Sequence, residues 1–237
     1  MAAHRLSLRL LLAVAAVALS PAALGAQASG SMETGSLITN RPAGGLGTGR
    51  GDARVISRQF AECSIKRGRG IAERYLAAPI GSKDYSKLQR QVLVDDCLGA
   101  GELTLPGEVI RGALFEQLYL IDYRTRPAAD LAAVAAIDYT AGYSAPVAVD
   151  AGNGIALAQF GDCVARANPS DAHKLLVNIP GSAGESDAVH GLMSHLGACI
   201  PAGRKISFSR SVLRSAVAEG LYRLVRAANG LPWGAAS

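Results

Sequence analysis

The chain has 237 residues, a formal net charge of +5, four cysteines and only 5% aromatic side chains. That charge is modest, and no stacking aromatics flank the densest basic run, Lys66-Arg67-Gly68-Arg69-Gly70, which argues against a nucleic-acid partner. No stretch is long and apolar enough to span a bilayer, which takes about 20 residues.

Residues 1–28 read as a secretory signal peptide. His4, Arg5 and Arg9 make a basic start, Leu10 to Leu19 is an unbroken apolar run, and Ala26-Gln27-Ala28 offers an A-x-A cleavage pattern. Loss of Arg5 and Arg9 takes the net charge from +5 to 5 − 2 = +3. Residues 29–51 are rich in Gly, Ser and Thr without an apolar period, as in a flexible leader.

From 52 to 125 the apolar spacing turns helical. Asp52 is placed to cap a first helix carrying Phe60 and Cys63, which Gly68 and Gly70 stop. A short second helix holds Ile71, Tyr75 and Leu76 as far as Pro79. A third runs from about Asp84 to Leu98. After an extended Leu103-Thr104-Leu105, a fourth starts near Pro106. Residues 126–151 form a linker: an alanine-rich stretch, Ala128 to Ala136, expected as a bridging helix, then a Tyr/Gly/Pro loop. Residues 152–228 repeat the order. A helix from Ile155 to Ala167 precedes a short one capped by Ser170. A third spans Glu185 to Ile200, an extended piece covers Ile206 to Phe208, and a fourth runs from Ser209 to Ala228. A tail, 229–237, closes the chain.

The two helical segments share landmarks. Phe60-Ala61-Glu62-Cys63 recurs as Phe160-Gly161-Asp162-Cys163. Val109-Ile110-Arg111-Gly112-Ala113, with Glu116 and Leu118-Tyr119, recurs as Val212-Leu213-Arg214-Ser215-Ala216, with Glu219 and Leu221-Tyr222. Cys97 and Cys199 fall at matching places between. An internal repeat sets architecture before any single residue does. The expected fold is all-α: a tandem duplication of two roughly four-helix modules, each with one disulfide.

Four cysteines in an exported chain usually pair. Repeat symmetry allows all three connectivities, and locality favours Cys63–Cys97 and Cys163–Cys199. Each bond would stabilise its module by about 3–4 kcal/mol. A zinc site fits poorly, because the spacings contain no C-x-x-C pair.

Candidate chemistry gathers in the second segment, at Ser182, Ser186, Asp187, His190 and His195. Gly181-Ser182-Ala183-Gly184 is not a G-x-S-x-G elbow, and no strand precedes it. Ser182 or Ser186 suits a helix cap, with Glu185 and Asp187 in the first turn. His190 and His195 are five apart, about 140° around a helix, so their rings diverge and do not chelate. Asp95-Asp96 are consecutive and share no face. More informative are the polar residues present in both segments: Glu62 and Asp162, Lys66 and Arg166, Arg74 and Lys174, Arg111 with Glu116, and Arg214 with Glu219. An arginine fork meets a carboxylate best where water is partly excluded. Structural bridges are therefore expected from Glu62 to Arg111 and from Asp162 to Arg214.

These residues carry no enzyme signature. They point to an exported, periplasmic or secreted, non-catalytic binding or interaction protein with a protein or peptide partner in the envelope. No catalytic residue, cofactor, metal or nucleic acid is expected. A hydrolase working between the repeats, through His190, His195 or the Tyr139/Tyr143 loop, is the alternative. A self-associating envelope protein is a third reading.

Overall fold

The computed structural model describes residues 50–97, 105–126, 130–201, 208–231 and 233. The expected signal peptide, nearly all of the leader and most of the two extended pieces lie outside them. Among the described residues the fold is all-helical, with seven α-helices, two 3-10 turns, two disulfides and no strand. In the first half come α1 (Arg50–Ala77), α2 (Lys83–Val92) and α3 (Gly107–Tyr123). In the second come α4 (Val149–Ala167), α5 (Pro169–Val177), α6 (Ala183–Leu196) and α7 (Arg210–Ala228).

Gly68 bends α1 instead of ending it. Its backbone leaves helical geometry (φ −166°, ψ 69°), yet Ile65, Ala72, Tyr75 and Leu76, on either side of the bend, are buried. Tertiary packing carries the helix through. Asp52 lies inside α1, which already includes Arg50, so it is not the cap. At the corresponding place in the second half the chain does break. Asn168 accepts from the Asp171 N–H at 3.1 Å and Pro169 opens α5. Asn168, not Ser170, is therefore the cap.

The third helix of each half is shorter than expected. α2 stops at Val92 and α6 at Leu196, and 3-10 turns at Asp95–Cys97 and Gly197–Cys199 follow. Those turns return each second cysteine to the helix that bears the first. Cys63–Cys97 and Cys163–Cys199 are bonded, 34 and 36 residues apart. Gly81 (φ 82°) and Gly181 (φ 85°) make the tight turns before α2 and α6, a conformation that suits glycine.

The alanine-rich stretch, in the part described from 130 to 136, is turns and coil, not a bridging helix. Arg166 on α4 donates to the carbonyls of Leu131 (3.1 Å), Val134 (2.5 Å) and Ala135 (3.0 Å). A helix would need such carbonyls for its own ladder; the guanidinium claims them.

α3 and α7 form the centre. Nearly every residue from Val109 to Leu120 and from Leu213 to Val225 is buried. One core draws on both halves, through Leu114, Phe115, Leu118, Leu176, Val217 and Leu221. Small residues let the helices approach closely. A β-carbon at Gly112 would collide with Ser215, one at Gly161 with the backbone of Ala216, and one at Gly220 with the backbone of Gly161 and Asp162.

Candidate functional site

Two arginines and two glutamates lie within the buried stretches of α3 and α7, where unpaired charge is costly. They pair across the halves. Arg111 donates to both oxygens of Glu219, at 3.1 and 3.0 Å. Arg214 donates to both oxygens of Glu116, at 2.7 and 2.9 Å. Each arginine also bonds a leucine carbonyl of its own half: Arg111 that of Leu76 (2.6 Å), Arg214 that of Leu176 (3.0 Å).

The expected bridges from Glu62 to Arg111 and from Asp162 to Arg214 are therefore corrected. Glu62 points outward and accepts from Lys66 at 2.7 Å. Asp162 accepts from Arg166 (2.6 Å) and from the Tyr139 hydroxyl (3.0 Å). The close crossing of α3 and α7 brings a carboxylate of the other half nearer to each arginine than any on the first helix of its own.

The surroundings of the two arginines differ. Around Arg214 the site is closed. Its Nη1 donates to the Leu175 carbonyl (2.6 Å) and to Glu185 (3.1 Å). Glu185 is fully buried and also accepts from Arg54 and from the Gly181 N–H, both at 2.6 Å. Arg58 lies 3.4 Å from Glu116 and donates to the Asn178 carbonyl at 3.1 Å. Burial holds the Arg58 guanidinium below its ordinary pKa.

Around Arg111 the site is open. Positions 54, 58 and 85, each offset by 100 from its counterpart, carry the contrast: Arg54 and Arg58 correspond in sequence to Gly154 and Ala158, and Tyr85 corresponds to Glu185. Gly154 and Ala158 line a cavity of about 310 Å³, together with Arg111, Glu219, Arg223 and Trp233. Three of the residues that line it each hold a buried side-chain nitrogen with no hydrogen-bond partner: Arg111 Nη1, Arg223 Nε and Trp233 Nε1. The Arg111 side chain is only 7% exposed. Burial acts to raise the Glu219 pKa, but Arg111 and Arg223 outweigh it and hold the carboxyl below its usual range. For Arg111, burial works against the charged form, and the Glu219 carboxylate reverses that, leaving its pKa raised.

The Tyr139/Tyr143 loop forms the outer wall of this cavity. Tyr143 accepts the Ile80 N–H at 2.9 Å and so ties the loop to the turn before α2. Tyr139 is pushed well above the usual phenol range, first by burial and then by Asp162.

Other sequence candidates lie elsewhere. Ser182 caps α6, accepting from the Glu185 N–H at 3.2 Å. His190 and Asp187 are exposed and His195 half-buried on α6, and none of them lines the cavity. Asp96 pairs with Arg67 at 2.9 Å on the surface. Within the basic run, Arg69 forks onto Asp122 at 2.8 and 2.7 Å. Not singled out in the sequence were Arg54, Arg58, Arg223, Trp233 and His173, the last bonded to the Tyr119 hydroxyl at 2.8 Å. One signal for the exchanged pairs was present. Arg111 and Glu116 are five apart, too far around one helix to meet, and the same spacing recurs at Arg214 and Glu219.

No family model matches the chain, and neither the curated proteins nor the solved structures contain a match.

Proposed function

We propose that the chain is an exported, non-catalytic binding protein of the bacterial envelope whose ligand is a small molecule held in the cavity beside Arg111. The two halves are read as a tandem duplication of one disulfide-bonded helical module. The observation that carries the reading is one 310 Å³ cavity bordered by Arg111, Arg223 and Trp233, each of which holds a buried donor without a hydrogen-bond partner behind the cavity surface. That volume is at the small end of ligand sites, which run to about 1,000 Å³, and buried donors are rarely left unmet. Among the described residues no histidine lines the cavity, whereas Tyr139 and Tyr143, the loop named for the hydrolase alternative, do. Two disulfides fit an oxidising compartment, and among the described residues no helix is long and apolar enough to cross a membrane.

Native mass spectrometry tests the binding reading, using mature protein incubated with the low-molecular-mass fraction of the producing cell. A small adduct is expected, and Ala158→Trp should abolish it while the protein stays folded. No adduct, or one that survives the substitution, overturns the reading. Intact mass of the mature chain tests export: a start between residues 26 and 29 is expected, and a chain beginning at Met1 refutes it.

A further inference from the structure

We propose that the ligand is a small monocarboxylate with an apolar body, its carboxylate standing in for the Glu185 side chain of the closed site. The inference rests on the binding reading and names the ligand class.

The two arginine sites provide the comparison. Ser82 and Ser182 cap α2 and α6 in the same way, accepting from the N–H of Tyr85 and of Glu185. That equivalence places Tyr85 where Glu185 stands. In the closed site the Glu185 carboxylate meets Arg214 Nη1. In the open site Tyr85 turns to Tyr75, hydroxyl to hydroxyl at 2.8 Å, and Arg111 Nη1 has no partner. The group that completes the guanidinium in one site is a carboxylate, and the same chemistry completes it in the other.

The remaining wall selects the body. Ala77, Pro79 and Ile155 are apolar, Tyr139 and Trp233 present rings, and the exposed Asp138 adds a carboxylate. Arg223 lies over both rings, 5.0 and 5.9 Å from their centroids. The three donor atoms lie beneath the cavity surface, so binding requires a side chain of the wall to move and admit the carboxylate.

Trp233 is the chain's single tryptophan, so its indole N–H gives one resonance. The experiment titrates mature protein with butanoate, hexanoate and benzoate, and with the matching primary amides, following that resonance. Carboxylates should shift it and bind at least about ten-fold more tightly than the amides, as expected for an added charge-assisted hydrogen bond. Tyr85→Glu supplies a carboxylate from within, and Ala158→Arg restores the arginine of the closed site. Both should weaken carboxylate binding by about ten-fold or more while far-UV dichroism and the melting transition persist. Trp233→Phe, followed by calorimetry, keeps the ring, removes one donor and should weaken binding if Ala158→Arg fails to fold. Equal affinity for acids and amides overturns the carboxylate assignment. So does full binding in both Tyr85→Glu and Trp233→Phe. If no probe binds but the extract still yields an adduct abolished by Ala158→Trp, the ligand class alone falls. If neither occurs, the binding reading falls with it.

Discussion

At the scale of single residues, burial separates charges that hold the fold from charges that keep it wet. Glu185 is fully buried and meets Arg54, Arg214 and a backbone N–H. Glu185→Ala should therefore cost about 3–5 kcal/mol, because it leaves a buried guanidinium short of a partner. Glu62→Ala, which removes an exposed pair with Lys66, should stay within about 1 kcal/mol. Urea unfolding of both variants checks the contrast. Acid should act in two windows. The His173 pKa is lowered from 6.5 by burial, so the unfolded chain takes the proton first, and stability falls as pH drops from the ordinary histidine value to the lower folded one. The Glu219 carboxyl is also lowered from its ordinary 4.5, with Arg111 and Arg223 outweighing burial. Its contribution is whole above that value and is lost as pH falls through the folded pKa. Urea midpoints from pH 7 to 2 should show both declines, with His173→Gln flattening only the upper. What the sequence hides here is partnership. Arg111, Arg214, Glu116 and Glu219 stand out through recurrence, but recurrence within each half suggests partners within that half. The true partners come from a crossing that no local pattern encodes.

At the scale of elements, helix identity was legible and helix ends were less so. Apolar spacing located every helix except the supposed bridge at 128–136. There the alanines favour a helix, but Arg166, 30 or more residues away, takes the carbonyls. Gly68 reads as a breaker, and packing on both sides overrides it. The close helix crossings were signalled only by composition, in the abundance of alanine and the scarcity of rings. Their energetic weight is testable at Gly220, where a β-carbon would meet the backbone of Gly161 and Asp162. Helix propensity alone would make Gly220→Ala stabilising by about 1 kcal/mol. Backbone cannot give way as a flexible side chain does, so the variant should instead lose about 1–3 kcal/mol. A urea midpoint above that of the parent would show that the crossing is looser than the geometry implies.

For the molecule as a whole, each disulfide fastens a long helix to the 3-10 turn 34 or 36 residues on. Replacing Cys63 and Cys97 together by serine should cost about 3–4 kcal/mol on the chain-entropy account. The Cys163/Cys199 pair should cost nearly the same, because loop length enters only logarithmically. Thermal melts of the two double variants against the parent decide. Unequal losses would mean that strain or residual structure, and not loop closure, governs the effect. The exchange of ion partners between α3 and α7 reaches further, to ancestry. A lone copy of either half would have carried an arginine and a glutamate with nothing opposite them, and two copies meeting about a dyad would have satisfied both at once. On the duplication reading, the ancestor was a homodimer with two identical sites, since subunits of one sequence offer no means to distinguish them. On that same reading, joining the copies in one polypeptide lifts that constraint, and the two sites are free to differ: Glu185 closes the one at Arg214, and no such glutamate stands at Arg111.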